Sequence, residues 1–576
     1  MGYTSERNNQ IVIQLLKYHG IKKVVASPGA TNVSFVASIQ QDPYFEIYSS
    51  VDERSAVYIA CGLAEESGEA VVLSCTGATA SRNYFSGLTE AYYRKLPILA
   101  ITSTMPICRI GHNVPQVIDR TNVTNDIVKL SVHIPIVKDQ EDEWNCAVKT
   151  NEAILELKHH CPGPVHMNVE TLQSGTFDVE SIDYVKPIDR IMPTDKFPKV
   201  EGCKIAVFVG AHSKWSDALT TAVDQFCDKH NAVVIGDHTS NYKGKYSVPS
   251  SLVTNQKFGS DEFKKCDLLI HIGNISGSYL KISPKQVWRV SPDGKVCDTF
   301  KTLRYVFEMS EVDFFNKYNE MEDCSSNVSA YKAWRKKYDA LKDSIPELPF
   351  SNIWVASQLS GRLPENCILH LGILNSLRSW NFFELPESVL VYSNTGGFGI
   401  DGCCSTICGT ALATDKLVFG VLGDLAFFYD MNVMGNRHVK NNIRILVINN
   451  GHGQEFRNYG HRAAQFGEDT DRYIAAAGHF GNKSDTLIKN YVESLGCKYL
   501  TAKDKDSFLE QMNLFVADRS DDCPIIFEVF TTNEDESKAL QQMLTLSAST
   551  SDNAKSIIKN VIGDSGVKSL KKIFKK

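Results

Sequence analysis

No stretch of the 576-residue sequence approaches eighteen consecutive apolar residues, so a membrane-spanning helix is not expected. Charge of one sign is not in excess either: 61 Lys and Arg stand against 67 Asp and Glu, and the net charge of −6 leaves no footprint for nucleic acid. The 16 cysteines contain no Cys-x₂-Cys pair of the metal-ligand type, and Cys61, Cys75, Cys403, Cys404 and Cys408 fall in apolar or helix-like stretches. No signal-like apolar stretch precedes Ile11, so reduced thiols and a cytoplasmic setting are the expectation. Internal repeats are absent by eye. What remains, 43% apolar and 22% charged residues, is the composition of a large globular protein whose length favours three or four domains.

Against this background two apolar runs stand out, Lys416-Leu-Val-Phe-Gly-Val-Leu-Gly423 and Arg444-Ile-Leu-Val-Ile-Asn449, of the kind that parallel strands buried on both faces require. Each ends in polar residues, Asp424 after the first and Asn450 after the second. The carboxyl ends of strands in open parallel sheets face the ligand crevice, so this pair emerges where a phosphate ligand would lie. A carboxylate and an amide oxygen are hard ligands suited to Mg²⁺, with a backbone carbonyl near His452 able to complete the set. Taken alone, Gly-Asp also reads as a turn and Asn-Asn as a helix cap.

Two further segments narrow the choice. Val24-Val-Ala-Ser-Pro-Gly-Ala-Thr31, Val51-Asp-Glu-Arg-Ser-Ala-Val-Tyr-Ile-Ala60 and Val71-Val-Leu-Ser-Cys-Thr-Gly-Ala-Thr79 form an α/β pattern with Gly-containing turns. Glu53 opens its helical stretch beside the small residues Ala56, Ala60, Gly62 and Ala64, a place where a first-turn glutamate is also favoured by the helix macrodipole. Ser393-Asn-Thr-Gly-Gly-Phe-Gly-Ile-Asp-Gly402 puts four glycines in seven residues before a small-residue helix, a turn whose free N–H groups suit a diphosphate.

Gly399-Ile-Asp-Gly402 with Ser405-Thr406, Gly423-Asp-Leu-Ala-Phe-Phe-Tyr-Asp-Met-Asn432, Asn449-Asn-Gly-His-Gly-Gln-Glu-Phe456 and Gly163-Pro-Val-His-Met-Asn168 occur in an order that resembles a known superfamily. The chain is similar to thiamine diphosphate enzymes of the decarboxylase and acetohydroxyacid synthase type, and within them to the menaquinone-pathway 2-succinyl-5-enolpyruvyl-6-hydroxy-3-cyclohexene-1-carboxylate synthases. The resemblance implies that Asp424, Asn450 and His452 hold Mg²⁺ and that Glu53 contacts the aminopyrimidine, promoting the imino tautomer that generates the ylid. It places cofactor contacts at Ser27, Pro28, Gly29, Gly77 and Asn83 in the first part of the chain. In the last part it places them at Ser376, Gly399, Ile400, Asp401, Gly423 and Leu425, with Gly453 and Gln454. Ile400 matches the apolar prop of the bent cofactor, Gln116 a glutamine on the reaction side, and Glu455 the position over the reacting carbon, where it would shuttle protons. It further implies at least a homodimer, or a homotetramer, with the glutamate and the metal site meeting across a subunit interface.

The departures bear on substrate. Enzymes of this family read substrate carboxylates with arginines, whose planar fork pairs bidentately. In the matching places this chain has Thr31, Thr104-Met105, Trp380 and Thr395. Losing charged hydrogen bonds at ~1.5–3 kcal/mol each argues against isochorismate and 2-oxoglutarate as substrates. Trp380, Phe382, Phe383, Phe398, Thr395 and Ser376 read either as a pocket for a sugar or ring, or as ordinary aromatic core. Arg378, Arg82 and Arg94 read either as charge re-supplied from different positions or as solvated surface residues, and His112 either as a proton-transfer group or as a solvent-facing histidine. The expectation is Mg²⁺- and thiamine diphosphate-dependent decarboxylation of a 2-oxo acid, with ligation of the acyl anion to an aldehyde, ketone or ring acceptor. A simple decarboxylase or C–C hydrolase, the menaquinone-pathway synthase itself and a non-catalytic scaffold stand as alternatives.

The fold expected is α/β, three doubly wound Rossmann-like domains: a pyrimidine-binding domain over 1–185, a central domain over 200–345 and a diphosphate-binding domain over 350–545. Proline-rich linkers near Pro187–Pro198 and Pro346–Pro349 separate them. The central strands lack a full G-x-G-x-x-G run, which leaves nucleotide binding there without support. The tail, 546–576, carries seven lysines and two aspartates from Ser551 onward, and Val567, Leu570, Ile573 and Phe574 at helical spacing. Such a segment reads as a basic amphipathic helix for an anionic membrane surface or a partner protein, or as a solvated tail.

Overall fold

The computed structural model describes residues 2–120, 123–202, 204–278, 280–321, 328–519 and 521–548. The expected basic helix beyond Ser551 lies outside them. Among the described residues the chain forms three parallel six-stranded sheets interspersed with helices, an α/β architecture. Its contacts group it into two units, one running to Phe197 and including Asp293–Glu308, the other comprising Pro198–Pro292 and the chain from Met309 onward.

In the first unit, strands β1 (Lys23–Ala26), β2 (Glu46–Ser49), β3 (Val71–Cys75), β4 (Ile98–Thr104), β5 (Leu130–Ile134) and β6 (Val165–Glu170) make a sheet of order β2-β1-β3-β4-β6-β5. Every residue of β3, β4 and β6 is buried, the expected consequence of continuous apolar runs covered by helices on both faces. The helix Glu53–Ser67 starts where the Asp52 side chain accepts from the Arg54 and Ser55 backbone N–H groups. It stops at Gly68, which takes the left-handed conformation a C-terminal cap requires. The unit also contains the parallel pair β7 (Asp189–Ile191) and β12 (Leu303–Phe307).

The second unit holds β8 (Ile205–Val209), β9 (Val233–Gly236), β10 (Lys265–Ile272) and β11 (Ser283–Val290), in the order β11-β10-β8-β9. It also holds a sheet of β13 (Ile368–Leu371), β14 (Leu390–Tyr392), β15 (Val418–Gly423), β16 (Ile443–Asn449), β17 (Lys498–Ala502) and β18 (Ile525–Phe530), ordered β14-β13-β15-β16-β18-β17. The first sheet and this last one follow the same plan. In each, the chain fills one edge, then crosses back between the second and third strands of the spatial order. That reversal is the place where doubly wound sheets open a crevice beyond their carboxyl ends.

The aromatic cluster after β13 is core rather than pocket wall in the main. Trp380 and Phe382 are each 1% exposed, and both pack with Phe383 into the apolar cluster that includes Leu369, Val391 and Phe527. No helix among the described residues is long and apolar enough to cross a membrane, and no described cysteine is in a disulfide.

Candidate active site

The carboxyl ends of β13, β15 and β16 enclose a cleft of about 150 Å³. β15 runs straight into the helix Asp424–Asp430, so Asp424 occupies the first helical position with its side chain almost wholly buried, 3% exposed. Its carboxylate accepts from the Leu425 N–H at 2.8 Å and the Gly451 N–H at 2.7 Å. These donors lower its pKa, but desolvation is the larger effect and lifts the pKa from 3.8 to about 7. Beside it, Asn450 Oδ1 and His452 Nε2 are buried without a hydrogen-bond partner. A buried acid with a raised pKa beside an orphaned amide oxygen in one cleft matches what a divalent cation with an anionic ligand would satisfy. The two asparagines of the pair divide their work. Asn449 Nδ2 donates to Glu528 Oε1 at 2.6 Å, fastening the strand end, while Asn450 lines the cleft.

Ser376, Ile400, Gly423, Leu425, Gly453 and Gln454 line the same cleft, together with His452 and Glu455. Gln454 Nε2 is fixed by Asn533 Oδ1 at 2.9 Å and Asn458 Oδ1 at 3.1 Å. Gly399 and Asp401 are not among the lining residues: Asp401 is exposed, because the turn that carries Ile400 inward points its neighbour outward. Among the lining residues outside the expected set is a second buried acid. Glu536, buried, accepts from the Asn352 N–H at 2.9 Å and Thr531 Oγ1 at 2.7 Å, and burial pushes its pKa up to about 7. Only a helix-start pattern marks it in sequence, at the third position after Asn533.

A second cavity of about 220 Å³ shares Leu374 and Glu455 with the first. Here Arg378 grips Glu455 with both guanidinium nitrogens, at 2.8 and 2.9 Å. Asn375 braces the same carboxylate, its amide reaching Oε2 at 3.1 Å. Arg378 is therefore no solvated surface residue. It lies two residues short of Trp380, whose side chain the core absorbs. Arg82 and Arg94 are exposed as expected.

In the first unit the expected residues gather at the carboxyl ends of β1 and β3. Ser27 Oγ is buried without a partner, and the Ser27 carbonyl accepts from Asn32 Nδ2 at 2.9 Å. Pro28 and Gly29 follow it toward the Thr76-Gly77 turn, which is tied down by a 2.6 Å contact between Thr31 Oγ1 and Thr76 Oγ1. A Cβ at Gly77 would stand 3.0 Å from the Gln116 carbonyl, so the loop bearing Gln116 lies against this turn. Gln116 itself is exposed with φ +63, as is the His112 side chain nearby. Glu53 begins its helix half-buried, and Asn83 ends the short helix Thr79–Asn83 in an exposed position. Beneath the loop lies Arg120, which sequence reasoning missed. It is 4% exposed, donates to the Ser103 carbonyl at 3.2 Å, and has Nε and one terminal nitrogen unpartnered.

Residues 7–123 match the family model described as thiamine pyrophosphate enzyme, N-terminal TPP binding domain. A 2-succinyl-5-enolpyruvyl-6-hydroxy-3-cyclohexene-1-carboxylate synthase of Bacteroides fragilis is 32% identical over 566 residues, 94% of this chain and 98% of its own length. The chain belongs to this family of thiamine pyrophosphate enzymes. Its similarity to the synthase of Bacteroides thetaiotaomicron is 30% over 557 residues, covering 94% and 98%, and to that of Desulfotalea psychrophila 29% over 534 residues, covering 89% and 96%.

Within the family, the neutral residues at the expected arginine positions are structural here. Thr31 Oγ1 donates to the Ser103 carbonyl at 3.0 Å, Thr104 is a buried residue of β4, Thr395 is 6% exposed and Trp380 is core. Arg378, which lines the second cavity, is carried on the helix Asn375–Trp380, which also bears the cleft residue Ser376.

Proposed function

We propose that this family member is a thiamine diphosphate- and Mg²⁺-dependent synthase that decarboxylates an anionic 2-oxo acid and adds the acyl unit to an acceptor. The observation that carries the reading is the buried Asp424 carboxyl beside the orphaned Asn450 Oδ1, at the carboxyl ends of β15 and β16. Asp424 and Asn450, with a carbonyl near His452, would hold Mg²⁺ against the diphosphate, and Ile400 would support the cofactor from the cleft wall. When bound, the cofactor supplies a nucleophilic carbon and a sink for the electrons left by carbon dioxide. Glu455 lines the same cleft with its charge balanced by Arg378; a substrate carboxylate that displaced it from the guanidinium would be oriented there and would leave Glu455 free to move a proton. Glu53 would serve the pyrimidine side as its acid, and Gln116 the reaction side as a hydrogen-bonding amide.

A second copy of the chain completes the reading. Val51 is 81% exposed and Tyr58 and Ile59 are 47% and 43% exposed beside Glu53, and the second unit leaves Tyr473 80% exposed. Exposed apolar side chains on the helix that Glu53 opens are what a subunit interface would cover. A soluble, cytoplasmic homodimer or homotetramer follows as part of the proposal.

The relatives' product, 2-succinyl-5-enolpyruvyl-6-hydroxy-3-cyclohexene-1-carboxylate, sets the first assay: holoenzyme with isochorismate and 2-oxoglutarate, product read by mass spectrometry. The neutral Thr31, Thr104, Trp380 and Thr395 favour a second reading, the same chemistry on a less anionic substrate pair. Carbon dioxide release from a panel of 2-oxo acids, with and without aldehydes, separates it from the first and from simple decarboxylation. Cofactor binding without carbon dioxide release from any member would overturn both, and absence of heat on titrating thiamine diphosphate with Mg²⁺ would leave only a scaffold.

A further inference from the structure

Away from the cofactor cleft, in the first unit, the turn that follows the helix Gln140–Glu156 brings His159 and His160 to Glu308 at the end of β12. We propose that these three side chains form a binding site for a borderline divalent transition-metal ion such as Zn²⁺. His159 Nε2 lies 3.3 Å from Glu308 Oε2, and His160 Nδ1 lies 3.3 Å from Glu308 Oε1. Tetrahedral Zn²⁺ with bonds of ~2.0–2.1 Å sets neighbouring ligand atoms about 3.3 Å apart. All three ligand atoms fall within 4.8 Å of one another, so the exposed His160 ring needs only a small movement to close the set.

Two observations separate this cluster from an ordinary ion-pair network. The first is polarity. His159 Nδ1 is 2.8 Å from Glu156 Oε2, and a carboxylate can only accept, so Nδ1 carries a proton and Nε2 is the ring nitrogen turned toward Glu308. The side chains of His159 and Glu308 are 10% and 7% exposed, and His159 Nε2 and Glu308 Oε2 have no hydrogen-bond partner. A buried ring nitrogen and a buried carboxylate oxygen that face one another without a hydrogen bond are costly, and a cation between them would satisfy both. The second is the outer arrangement. Glu156, held in turn by Lys129 Nζ at 3.3 Å, supplies the carboxylate behind a metal-facing imidazole that fixes its tautomer and orientation.

The backbone is shaped for the same approach. His160 adopts φ +53, a left-handed conformation uncommon outside glycine. Gly294, φ +59, lies so close that a Cβ there would meet Glu308 Oε2 at 2.5 Å. Arg190 Nε, 3.4 Å from the same oxygen, competes for it and weakens the site. The 67% exposed His160 side chain gives the ion its way in.

The test uses tag-free, full-length holoenzyme equilibrated with ZnCl₂, its metal content counted after gel filtration, and Co²⁺ as a spectroscopic substitute. One Zn²⁺ per chain and the visible absorption of tetrahedral Co²⁺ are expected. His160→Ala, at an exposed position, should abolish both while Mg²⁺ and thiamine diphosphate binding persist. Glu156→Gln, a positioning change, should weaken Zn²⁺ by ~10–100-fold. Absence of stoichiometric Zn²⁺, or stoichiometric binding unchanged in His160→Ala, would overturn the assignment.

Discussion

Replacing Asp424 by Asn should make the cofactor-free chain more stable at pH 8 while destroying cofactor binding. The wild-type carboxyl is 3% exposed and its pKa is lifted to about 7 by desolvation. Because the folded value lies above the unfolded one, the stability this group contributes is fully present below pH ~3.8 and is lost as pH rises through about 7. At ~1.36 kcal/mol per pH unit, the ionised side chain therefore costs the empty fold about 4 kcal/mol at pH 8. An amide removes the charge but keeps one oxygen where Leu425 and Gly451 each need an acceptor, which returns ~1–3 kcal/mol of that gain. The net expectation is stabilisation of roughly 1–3 kcal/mol at pH 8, shrinking to zero or reversing near pH 4. A bound cation requires the ionised form, so in the wild type its apparent affinity should fall ~25-fold between pH 7.5 and 5.5 through this group alone. Urea unfolding of both proteins without cofactor between pH ~4 and ~8 checks the first effect, and calorimetric titration with Mg²⁺ and thiamine diphosphate the second. If Asp424→Asn left the chain less stable than wild type at pH 8, the two backbone donors would outweigh desolvation, and the account of Asp424 as a strained metal ligand would fall.

Other expectations can be checked alongside. Arg378→Ala should raise KM for an anionic 2-oxo acid by about tenfold or more, the loss of one charge-assisted contact of ~1.5–3 kcal/mol, with less effect on neutral acceptors. Glu455→Gln should free the guanidinium and tighten binding of the same acid while slowing turnover; full activity in this variant would remove Glu455 from the reaction. Glu53→Gln should depress carbon dioxide release ~10²–10⁴-fold with melting temperature nearly unchanged, since a half-buried first-turn glutamate contributes only ~0.3–1 kcal/mol to its helix. Ile400→Ala should lower kcat ~10²-fold by loosening the cofactor's support, with cofactor affinity little changed, a split that simple unfolding would not produce.

The fold was largely legible because parallel strands buried on both faces write themselves as uninterrupted apolar runs, as Lys416–Gly423 and Arg444–Asn449 do. Strand ends were legible for the same reason: where such a run stops at Asp424 or Asn450, the polar residue must stand at the crevice. Short turns were harder. Gly399, Ile400 and Asp401 are consecutive, yet only Ile400 lines the cleft, since a turn without periodicity does not reveal which side chain points inward.

Arg378 shows why the substrate side was harder to read. Expecting a guanidinium only at fixed places along the chain leads to Trp380, two residues away on the helix Asn375–Trp380. Residues two apart on a helix point in different directions, so position 380 turns into the core while position 378 faces the second cavity. Its partner, Glu455, lies 77 residues further on and follows a different strand, so no local pattern links the two. The departures at Thr31, Thr104, Trp380 and Thr395 are real, but they do not by themselves remove positive charge from the site; they move it to a guanidinium already paired with an internal carboxylate. An incoming carboxylate must then compete with Glu455 for Arg378, and selectivity becomes a difference between two bidentate pairs. That difference favours an acid whose carboxylate displaces Glu455 from the guanidinium over one that merely carries more charge.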